Sequence, residues 1–500
     1  MKALLAIDQG TTGSTCLVLD GHGHLLGRAY AEITQHFPRP GWVEHDAVEI
    51  WDVTLRVARQ AIAAAGGGVS VEAIGITNQR ETVVVWDRAT GEPAYRAIVW
   101  QDRRTAESCR RLKERGREAA IRAHTGLVID PYFSATKLAW LFENVPDLRA
   151  RAEAGELAAG TIDSWLIWNL TGGRVHATEP TNASRTLLYD IDELDWSDAL
   201  LAEFGVPRAV LPELRSSSGD FGTTAPGLFG SPIPVSGAAG DQQAALFGQG
   251  CVRAGLAKNT YGTGAFLLLQ TGMERVASER GLLTTVACGP RGEPAYALEG
   301  AIFIAGAAVQ WLRDGLGVIE RAEETETLAA GLASNDGVYF VPAFVGLGGP
   351  HWEPEARGTI VGLTRGSGRA HLARAALEAM AYGTRDVLEA MIADSGVEAT
   401  ELAVDGGASL NDWLMQFQAD LIGLPVRRPV IVETTALGAA GLAGIAAGVW
   451  KDADDFMAAR DEPTRFEPRL HAADRDRIHA GWLRAVRTAL AWAADADGST

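Results

Sequence analysis

One pattern occurs twice in this chain, once near residue 8 and again near residue 260. In each copy a short apolar strand runs into a turn of glycine and threonine, and a second strand returns from it. The first turn reads Asp8-Gln9-Gly10-Thr11-Thr12-Gly13, and the second reads Tyr261-Gly262-Thr263-Gly264. Such an internal repeat predicts two similarly built halves that face each other across a cleft.

The length of the chain agrees with this division, because a single hydrophobic core stops growing at roughly 250–300 residues and the chain has 500. Short apolar strands alternate with helical patterns from end to end, which is typical of the α/β class. No Pro- or Ser-rich linker separates the halves. We place the boundary near residue 250, which predicts domains 1–250 and 251–500.

Charge and cysteine usage exclude several classes of partner and location. The net charge of −18 argues against nucleic acid and anionic membranes, since both attract basic surfaces. The four cysteines form no C-x-x-C pair, and such sparse use suits a reducing compartment. The longest apolar run, 436–450, falls short of the roughly 20 residues that span a bilayer. We therefore expect a cytoplasmic protein with no membrane span, and we interpret this run as a buried helix.

Three turns are candidates for binding a nucleotide. In the two repeated turns, glycine permits close approach of the backbone and threonine hydroxyls can surround phosphate oxygens. Asp8, at a strand end, could hold Mg²⁺ through water. A third turn, 405–408, follows a strand and precedes a helix that holds Asn411. Each turn could instead be an ordinary hairpin or βα turn. The chain has no G-x-G-x-x-G after a strand and no Gly-Lys pair, which argues against a Rossmann dehydrogenase and a Walker A loop.

Polar residues at two other places are candidates for substrate chemistry. Asp241 follows a predicted strand at the end of the first half, where a carboxylate could take a proton from an attacking hydroxyl; it could instead be a helix N-cap. Arg80 and Glu81 lie in a polar strip, 78–82, between two apolar strands. They could bracket vicinal hydroxyls or form a surface ion pair at a solvated hairpin tip. Trp100 and Phe266 could supply an apolar wall or belong to the core.

Together these motifs resemble the FGGY carbohydrate kinases. The segments 132–140 and 358–363, the latter continuing to Glu378, resemble the two signatures of that family. Longer stretches resemble the glycerol kinases within it: 40–46, 75–82, 125–132, 181–185 and 240–249. The resemblance extends from residue 1 to at least residue 485.

The resemblance implies an α/β fold of two ribonuclease-H-like domains, of the actin/hexokinase ATPase type, with a cleft between them. It implies ATP- and Mg²⁺-dependent phosphorylation of glycerol to sn-glycerol 3-phosphate and ADP, by a homodimer or homotetramer. Asp241 matches the general base, and Asp8 matches the acid near Mg²⁺. The glycerol positions match Arg80, Glu81, Tyr132, Asp241 and Gln242, with Trp100 and Phe266 at the apolar wall. The nucleotide positions match Thr11, Thr12, Gly13, Thr263, Gly306, Gln310, Gly407 and Asn411.

Two features depart from the family pattern. Thr15 stands where the family usually has a basic residue beside the phosphates. The stretch 216–249 contains no Lys, Arg or His, although branches of the family are controlled there by fructose 1,6-bisphosphate or by phosphorylation of a histidine. Two alternatives to a glycerol kinase remain: an FGGY kinase for another polyol or a ketose, and a non-catalytic nucleotide-binding protein of the actin-like type.

Overall fold

A computed structural model describes residues 1–496, and its side chains are described to residue 494. The last four residues of the second predicted domain lie outside the described residues. Within the first half the strands are β1 (Lys2–Gln9), β2 (Gly13–Asp20), β3 (Leu25–Glu32), β4 (Glu44–His45), β5 (Ser70–Asn78), β6 (Val83–Asp87), β7 (Ala97–Ile98), β8 (Leu157–Thr161), β9 (Ala177–Thr178), β10 (Tyr189–Asp190), β11 (Asp195–Trp196), β12 (Glu213–Leu214) and β13 (Val235–Gly240). The helices are α1 (Ala47–Ala64), α2 (Ala106–Glu114), α3 (Glu118–Thr125), α4 (Ser134–Asn144), α5 (Leu148–Glu153), α6 (Ile162–Leu170), α7 (Pro180–Ala183), α8 (Asp198–Phe204) and α9 (Asp241–Gly248).

The second half continues with strands and longer helices. Its strands are β14 (Leu256–Tyr261), β15 (Ala265–Gly272), β16 (Leu283–Cys288), β17 (Pro294–Ile302), β18 (Tyr339–Val341), β19 (Thr359–Val361), β20 (Glu401–Asp405), β21 (Val426–Arg428) and β22 (Thr464–Phe466). Its helices are α10 (Gly306–Gln310), α11 (Glu324–Ala330), α12 (Arg369–Ser395), α13 (Asp412–Ile422), α14 (Thr434–Ala446), α15 (Ala453–Ala458) and α16 (Ala472–Ala496).

Each half is built around one main sheet, and the two sheets share a topology. In the first, with order β13-β5-β1-β2-β3, the strands β1, β2 and β3 pair antiparallel, and β5 and β13 add in parallel with β1. In the second, β14, β15 and β17 pair antiparallel, and β20 and β21 add in parallel with β14. The repeated turns thus join equivalent strands, and the predicted α/β repeat is confirmed as a repeat of topology.

Helices cover both faces of the first sheet. Successive side chains of a strand point to opposite faces, so Leu5 and Ile7 pack with α1 and α6 while Leu4 and Ala6 pack with α14 and α15. Helix α1 begins after Asp46, whose carboxylate accepts hydrogen bonds from the amides of Val48 and Glu49. The helical spacing of the sequence over 44–65 predicts a helix from Glu44, but α1 starts three residues later, because Glu44 and His45 pair with β7 instead.

The apolar run 436–450 forms α14, a buried helix as predicted, although it ends at Ala446. Its glycines allow close packing: a Cβ on Gly438 would overlap the carbonyl of Ala244 in α9, and a Cβ on Gly75 would overlap the carbonyl of Ala439. Thus a helix from the second half of the sequence covers the sheet of the first half. Among the described residues, no helix is long and apolar enough to cross a membrane.

Helix α9 lies between the two sheets. Phe247 packs into the core that contains α14, while Leu246 packs with Leu268 and Ala403 of the second sheet. The opposite face of the second sheet packs against α12, α13 and α16. Because α9 begins at Asp241, this central position brings the predicted base to the junction of both halves.

Candidate active site

Three neighbouring parallel strands of the first sheet end at the same edge. In the pairing of β1 with β5, Gln9 lies beside Asn78, and in the pairing of β5 with β13, Asn78 lies beside Gly240. The carboxyl ends of parallel strands are where ligands bind in open α/β sheets. The register therefore brings the first phosphate turn, the polar strip 78–82 and Asp241 to one place.

Arg80 is the centre of the site. Its side chain is only 2% exposed, and its Nε lies 3.1 Å from Oδ1 of Asp241. Its Nη2 donates to the hydroxyl of Tyr132 at 3.4 Å and to Oε1 of Glu299, and its Nη1 donates to Oε2 of Glu299 at 2.6 Å. The structure thus brings the predicted residues Arg80, Tyr132 and Asp241 together, and it adds Glu299, which sequence reasoning missed.

Glu81 is buried beside Arg80. Its carboxylate accepts a hydrogen bond from Nε of Arg185 at 2.7 Å, and its backbone has a φ of 57°. A left-handed glutamate is uncommon; here the carbonyl of Glu81 accepts from the Ser134 hydroxyl and the Lys137 ammonium. All five residues of the strip 78–82 are buried, so the alternative of a solvated hairpin tip with a surface ion pair is wrong.

Trp100 and Tyr132, both half-buried, line the same region. Trp100 donates from Nε1 to the hydroxyl of Thr11 at 2.8 Å, and its ring meets that of Tyr132 edge-on with centroids 5.5 Å apart. Trp100 therefore connects the first phosphate turn with the residues around Arg80. Trp100 is held at the cleft by this hydrogen bond and by the edge-on contact with Tyr132, not in a central core.

Phe266 reaches the cleft from the second sheet. Residues directly opposite each other in paired strands point to the same face. Phe266 lies opposite Thr260, and two residues further along Leu268 lies opposite both Lys258 and Glu299. The half-buried Phe266 therefore shares the sheet face that looks toward α9 and Arg80.

Asp241 is the first residue of α9, and Gly240 occupies the N-cap position. The interpretation of Asp241 as a helix N-cap is therefore wrong. Its Oδ1 accepts from the amide of Gln242 at 2.7 Å, while its side chain remains 32% exposed. The amide of Gly240 donates to the Thr181 hydroxyl, which in turn donates to buried Glu179. A fixed carboxylate with free access is suited to accepting a proton from a bound hydroxyl.

Asp8 faces other carboxylates at the end of β1. Burial, together with the negative charges of Asp241 and Glu433, raises the pKa of Asp8 to about 7. Carboxylates that repel one another in this way fit a divalent cation, because Mg²⁺ prefers oxygen ligands. Among the side chains that the structure describes, up to residue 494, no three His, Cys, Asp or Glu residues come close enough to hold a metal ion by themselves.

The second half contains a cavity of about 440 Å³ at the ends of β14 and β20. It is lined by all five residues predicted there to bind nucleotide: Thr263, Gly306, Gln310, Gly407 and Asn411. A Cβ on Gly306 would approach the carbonyl of Gly262, which accounts for glycine at that position. Asn411 also caps α13, since its Oδ1 accepts from the amide of Leu414.

The remaining predicted nucleotide residues, Thr11, Thr12 and Gly13, do not line this cavity. They form the turn between β1 and β2, which is closed by a 2.9 Å hydrogen bond from the amide of Gly10 to the carbonyl of Gly13. Thr15, the departure from the family pattern, follows in β2 directly opposite Asp8. The nucleotide candidates thus divide between the two halves.

Residues 3–248 match the N-terminal domain of the FGGY family of carbohydrate kinases, and residues 257–447 match its C-terminal domain. The chain belongs to the FGGY family of carbohydrate kinases. The predicted family and fold class are thereby confirmed.

Relatives of this FGGY kinase match it over nearly the whole chain. Glycerol kinase 2 of Thermotoga maritima is 55% identical, over 98% of this chain and 99% of the relative. The glycerol kinase of Trichlorobacter lovleyi is 58% identical, over 99% of this chain and 100% of the relative.

Solved structures of two kinases have the same fold as this chain. A crystal structure of Plasmodium falciparum glycerol kinase with ADP has a TM-score of 0.93 and 36% identity, covering 98% of both chains. A xylulose kinase from Lactobacillus acidophilus, 21% identical with a TM-score of 0.87 over 98% of this chain and 99% of its own, shares the fold.

Sequence reasoning missed three charged residues of the site: Arg185, Lys258 and Glu299. Arg185 lies in the stretch 181–185 that resembles the glycerol kinases, so the sequence held a signal for it. Lys258 and Glu299 lie in ordinary strand patterns, and only the strand register directs them to the cleft.

Proposed function

We propose that this FGGY kinase transfers the γ-phosphoryl group of ATP to glycerol, producing sn-glycerol 3-phosphate and ADP. The observation that carries the proposal is the 3.1 Å contact of Arg80 with Asp241, in a cleft beside Trp100 and Tyr132. The choice of glycerol is supported by relatives named glycerol kinase at 55–58% identity.

The proposed reaction begins when the Asp241 carboxylate accepts the proton of a terminal glycerol hydroxyl. The hydroxyl oxygen then bonds to the γ-phosphorus while the bond from that phosphorus to the ADP oxygen breaks. General-base catalysis contributes roughly 10²–10⁴-fold to rate, and the rest comes from positioning and charge stabilisation. ADP leaves with the electron pair of the broken bond.

Substrate binding is assigned to the residues around Arg80. Arg80 and Gln242 donate to glycerol oxygens, Glu81 accepts from a hydroxyl, and the Tyr132 hydroxyl completes the polar side. Trp100 and Phe266 enclose the carbon chain. The Arg80–Glu81 pair together with Trp100 favours a small polyol over the alternative substrates, which are another polyol or a ketose.

Nucleotide binding is assigned to both halves. The 440 Å³ cavity is large enough for the adenosine part, with Thr263, Gly306, Gln310, Gly407 and Asn411 around it. Thr11, Thr12 and Gly13 bind phosphate oxygens from the other side of the cleft. When bound, Mg²⁺ neutralises phosphate charge, and Asp8 would hold it through water.

Three further assignments complete the proposal. The chain is assigned to domains 1–250 and 251–500, whose boundary falls between the two main sheets, although α14 and α15 of the second domain pack against the first sheet. A cytoplasmic location is supported by the four separate, buried cysteines. A homodimer or homotetramer is supported by the family resemblance.

The deciding experiment is an ADP-release assay with ATP and Mg²⁺. We expect glycerol to stimulate ADP release far more than D-xylulose, gluconate or larger polyols do. Coupling to a dehydrogenase specific for sn-glycerol 3-phosphate identifies the product and its stereochemistry. If a ketose stimulates ADP release more than glycerol does, the substrate belongs to the alternative class. Nucleotide binding with no transfer to any polyol or ketose would favour the non-catalytic, actin-like alternative.

A further inference from the structure

Lys258 is a fully buried lysine at the junction of the two halves. It lies in β14, and its ammonium donates to the Thr260 hydroxyl at 2.8 Å and to Oε1 of Gln242. Gln242 belongs to α9 in the first half. The ammonium therefore links the second sheet to the helix that begins with Asp241.

The contacts of this ammonium differ from those of the other fully buried lysine near the site. The Lys137 ammonium donates to three backbone carbonyls, those of Tyr132 at 2.5 Å, Phe133 at 3.0 Å and Glu81 at 3.4 Å. Three acceptors satisfy its three N–H groups. Lys258 has two acceptors, both of them side-chain oxygens that face the cleft. Lys137 thus has the contacts of a structural residue, and Lys258 does not.

No carboxylate lies within 4.0 Å of the Lys258 ammonium in the part of the chain that the structure describes. The charged groups that face it from farther away are Asp405, Asp241, Glu299 and Arg80. Burial lowers the pKa of Lys258 to about 8. A buried ammonium without a paired anion is unfavourable for stability, which indicates that this position serves another purpose.

The contact determines how the Gln242 amide is oriented. An ammonium has only donors, so the amide must present its oxygen to Lys258 and turn its NH₂ group away. Among the described residues, that NH₂ group has no protein acceptor within hydrogen-bond distance. The Gln242 backbone amide meanwhile donates to Asp241. The free NH₂ group is therefore available beside the carboxylate that would accept the substrate proton.

We infer that Lys258 is a positioning residue, which holds the oxygen of the Gln242 amide so that its NH₂ group donates to a hydroxyl oxygen of the substrate. The inference rests on the proposed function, because the substrate oxygen is one of glycerol. Lys258 acts from the second half, so this donation is available only while β14 lies against α9.

A double-mutant cycle tests the inference. Lys258→Met removes the donor but keeps the length of the chain, and Gln242→Ala removes the amide. We expect each to raise the KM for glycerol by roughly 10-fold or more, with the KM for ATP changed by less than about 3-fold. The double variant should be little worse than either single variant, because residues that act through one contact are not additive. If Lys258 were only structural, Lys258→Met would alter the KM for glycerol and the KM for ATP alike. Its effect would also add to the effect of Gln242→Ala in the double variant.

A second measurement avoids substitution of Lys258. Because the ammonium loses its charge above about pH 8, the wild-type KM for glycerol should rise between pH 7 and pH 9. In Gln242→Ala this rise should be absent, while the pH dependence of the KM for ATP is unchanged. Binding of ADP and thermal unfolding show which variants are folded.

Failure of the inference about Lys258 can be distinguished from failure of the proposed function. A wild-type enzyme that fails to phosphorylate glycerol overturns the proposed function itself. With an active wild type, additive effects of Lys258→Met and Gln242→Ala overturn the inference about Lys258 alone. The same holds if the alkaline rise in KM persists in Gln242→Ala.

Discussion

The guanidinium of Arg80 is held by the carboxylate of Glu299, with Nη1 2.6 Å from Oε2, although the two residues are 219 positions apart. Arg185 donates to the same carboxylate at 2.9 Å. Burial alone would raise the pKa of Glu299, but Arg185 and Arg80 outweigh it and lower the pKa to about 2. Since Glu299 lies in β17 and both arginines lie in the first half, a carboxylate from the second half joins Glu81 and Asp241 in balancing the charge of the two arginines.

Glu299→Gln should therefore weaken both the fold and substrate binding. The amide leaves two buried guanidinium groups without their shared anion, and breaking a buried ion pair costs about 3–5 kcal/mol. We expect a lower free energy of unfolding in urea and a KM for glycerol raised by roughly 10-fold. Glu274→Gln is the matched control, since the Glu274 side chain is exposed and only its carbonyl is bonded. Equal effects of the two substitutions would contradict this role.

Asp241→Asn should abolish phosphoryl transfer and leave the fold intact. Asparagine keeps the shape of the side chain but cannot accept the proton, so turnover should fall by roughly 10²–10⁴-fold. ADP release with glycerol measures the loss, and circular dichroism checks the fold. Asp198→Asn, at a side chain 85% exposed, should leave turnover unchanged. An Asn variant that keeps more than about a tenth of wild-type turnover would show that Asp241 is not the base.

The raised pKa of Asp8 predicts a pH dependence of the protein without metal or nucleotide. In the folded state Asp8 holds a proton up to about pH 7, whereas its ordinary value is 3.8. A raised carboxyl pKa stabilises the fold at low pH, and this contribution is lost as pH rises from about 4 to about 7. Thermal unfolding of Asp8→Asn should show less of this decline than the wild type. Mg²⁺ with nucleotide should also release protons near pH 7 in the wild type, and an unchanged proton count would argue against Asp8 near the metal.

Much of the site could be predicted from the sequence because its residues lie in short, distinctive turns. Asp8 is the second-last residue of β1, and Arg80, Glu81 and Asp241 lie one to three residues after the end of a strand, so their positions at the sheet edge follow from local pattern. Glu299 and Lys258 could not be predicted, since a charged residue in a strand reveals neither its partner nor its face until the register is known. The start of α1 was misplaced for the same reason, because the pairing of β4 with β7 is a contact over about 50 residues.

Gly438→Ala should destabilise the protein without touching the site. Its new methyl group would overlap the carbonyl of Ala244, and such overpacking typically costs about 1–3 kcal/mol. The midpoint of thermal unfolding measures the effect. Gly67→Ala is the control, because a Cβ there meets no atom within 4 Å and its φ is not left-handed. A stability loss no greater than that of the control would mean that α14 and α9 can move apart at little cost.

Activity should not respond to fructose 1,6-bisphosphate or to the phosphocarrier protein with phosphoenolpyruvate. The stretch 216–249 has no basic residue or histidine of its own. Arg59 and Arg174 do lie against it from neighbouring elements, which the sequence argument did not consider, but they donate to the carbonyls of Thr223, Gly227 and Leu228. Assays with millimolar bisphosphate, and after incubation with the phosphocarrier, check this. If fructose 1,6-bisphosphate inhibits the wild type but not Arg59→Ala, Arg59 can exchange its hydrogen bonds to the carbonyls for contacts with the bisphosphate, and the prediction is wrong.

The position of α14 and α15 means that the polypeptide crosses between the two bodies three times: before β14, after β21 and before β22. A gene divided at residue 250 would therefore not encode two self-sufficient proteins. The first product would expose the face of its sheet that Leu4 and Ala6 present to α14, and the second would carry an Ala- and Gly-rich helix with nothing to pack against. Each should remain insoluble or unfolded alone, and co-expression should restore both together. Three covalent tethers also restrict how far the two bodies can separate from each other.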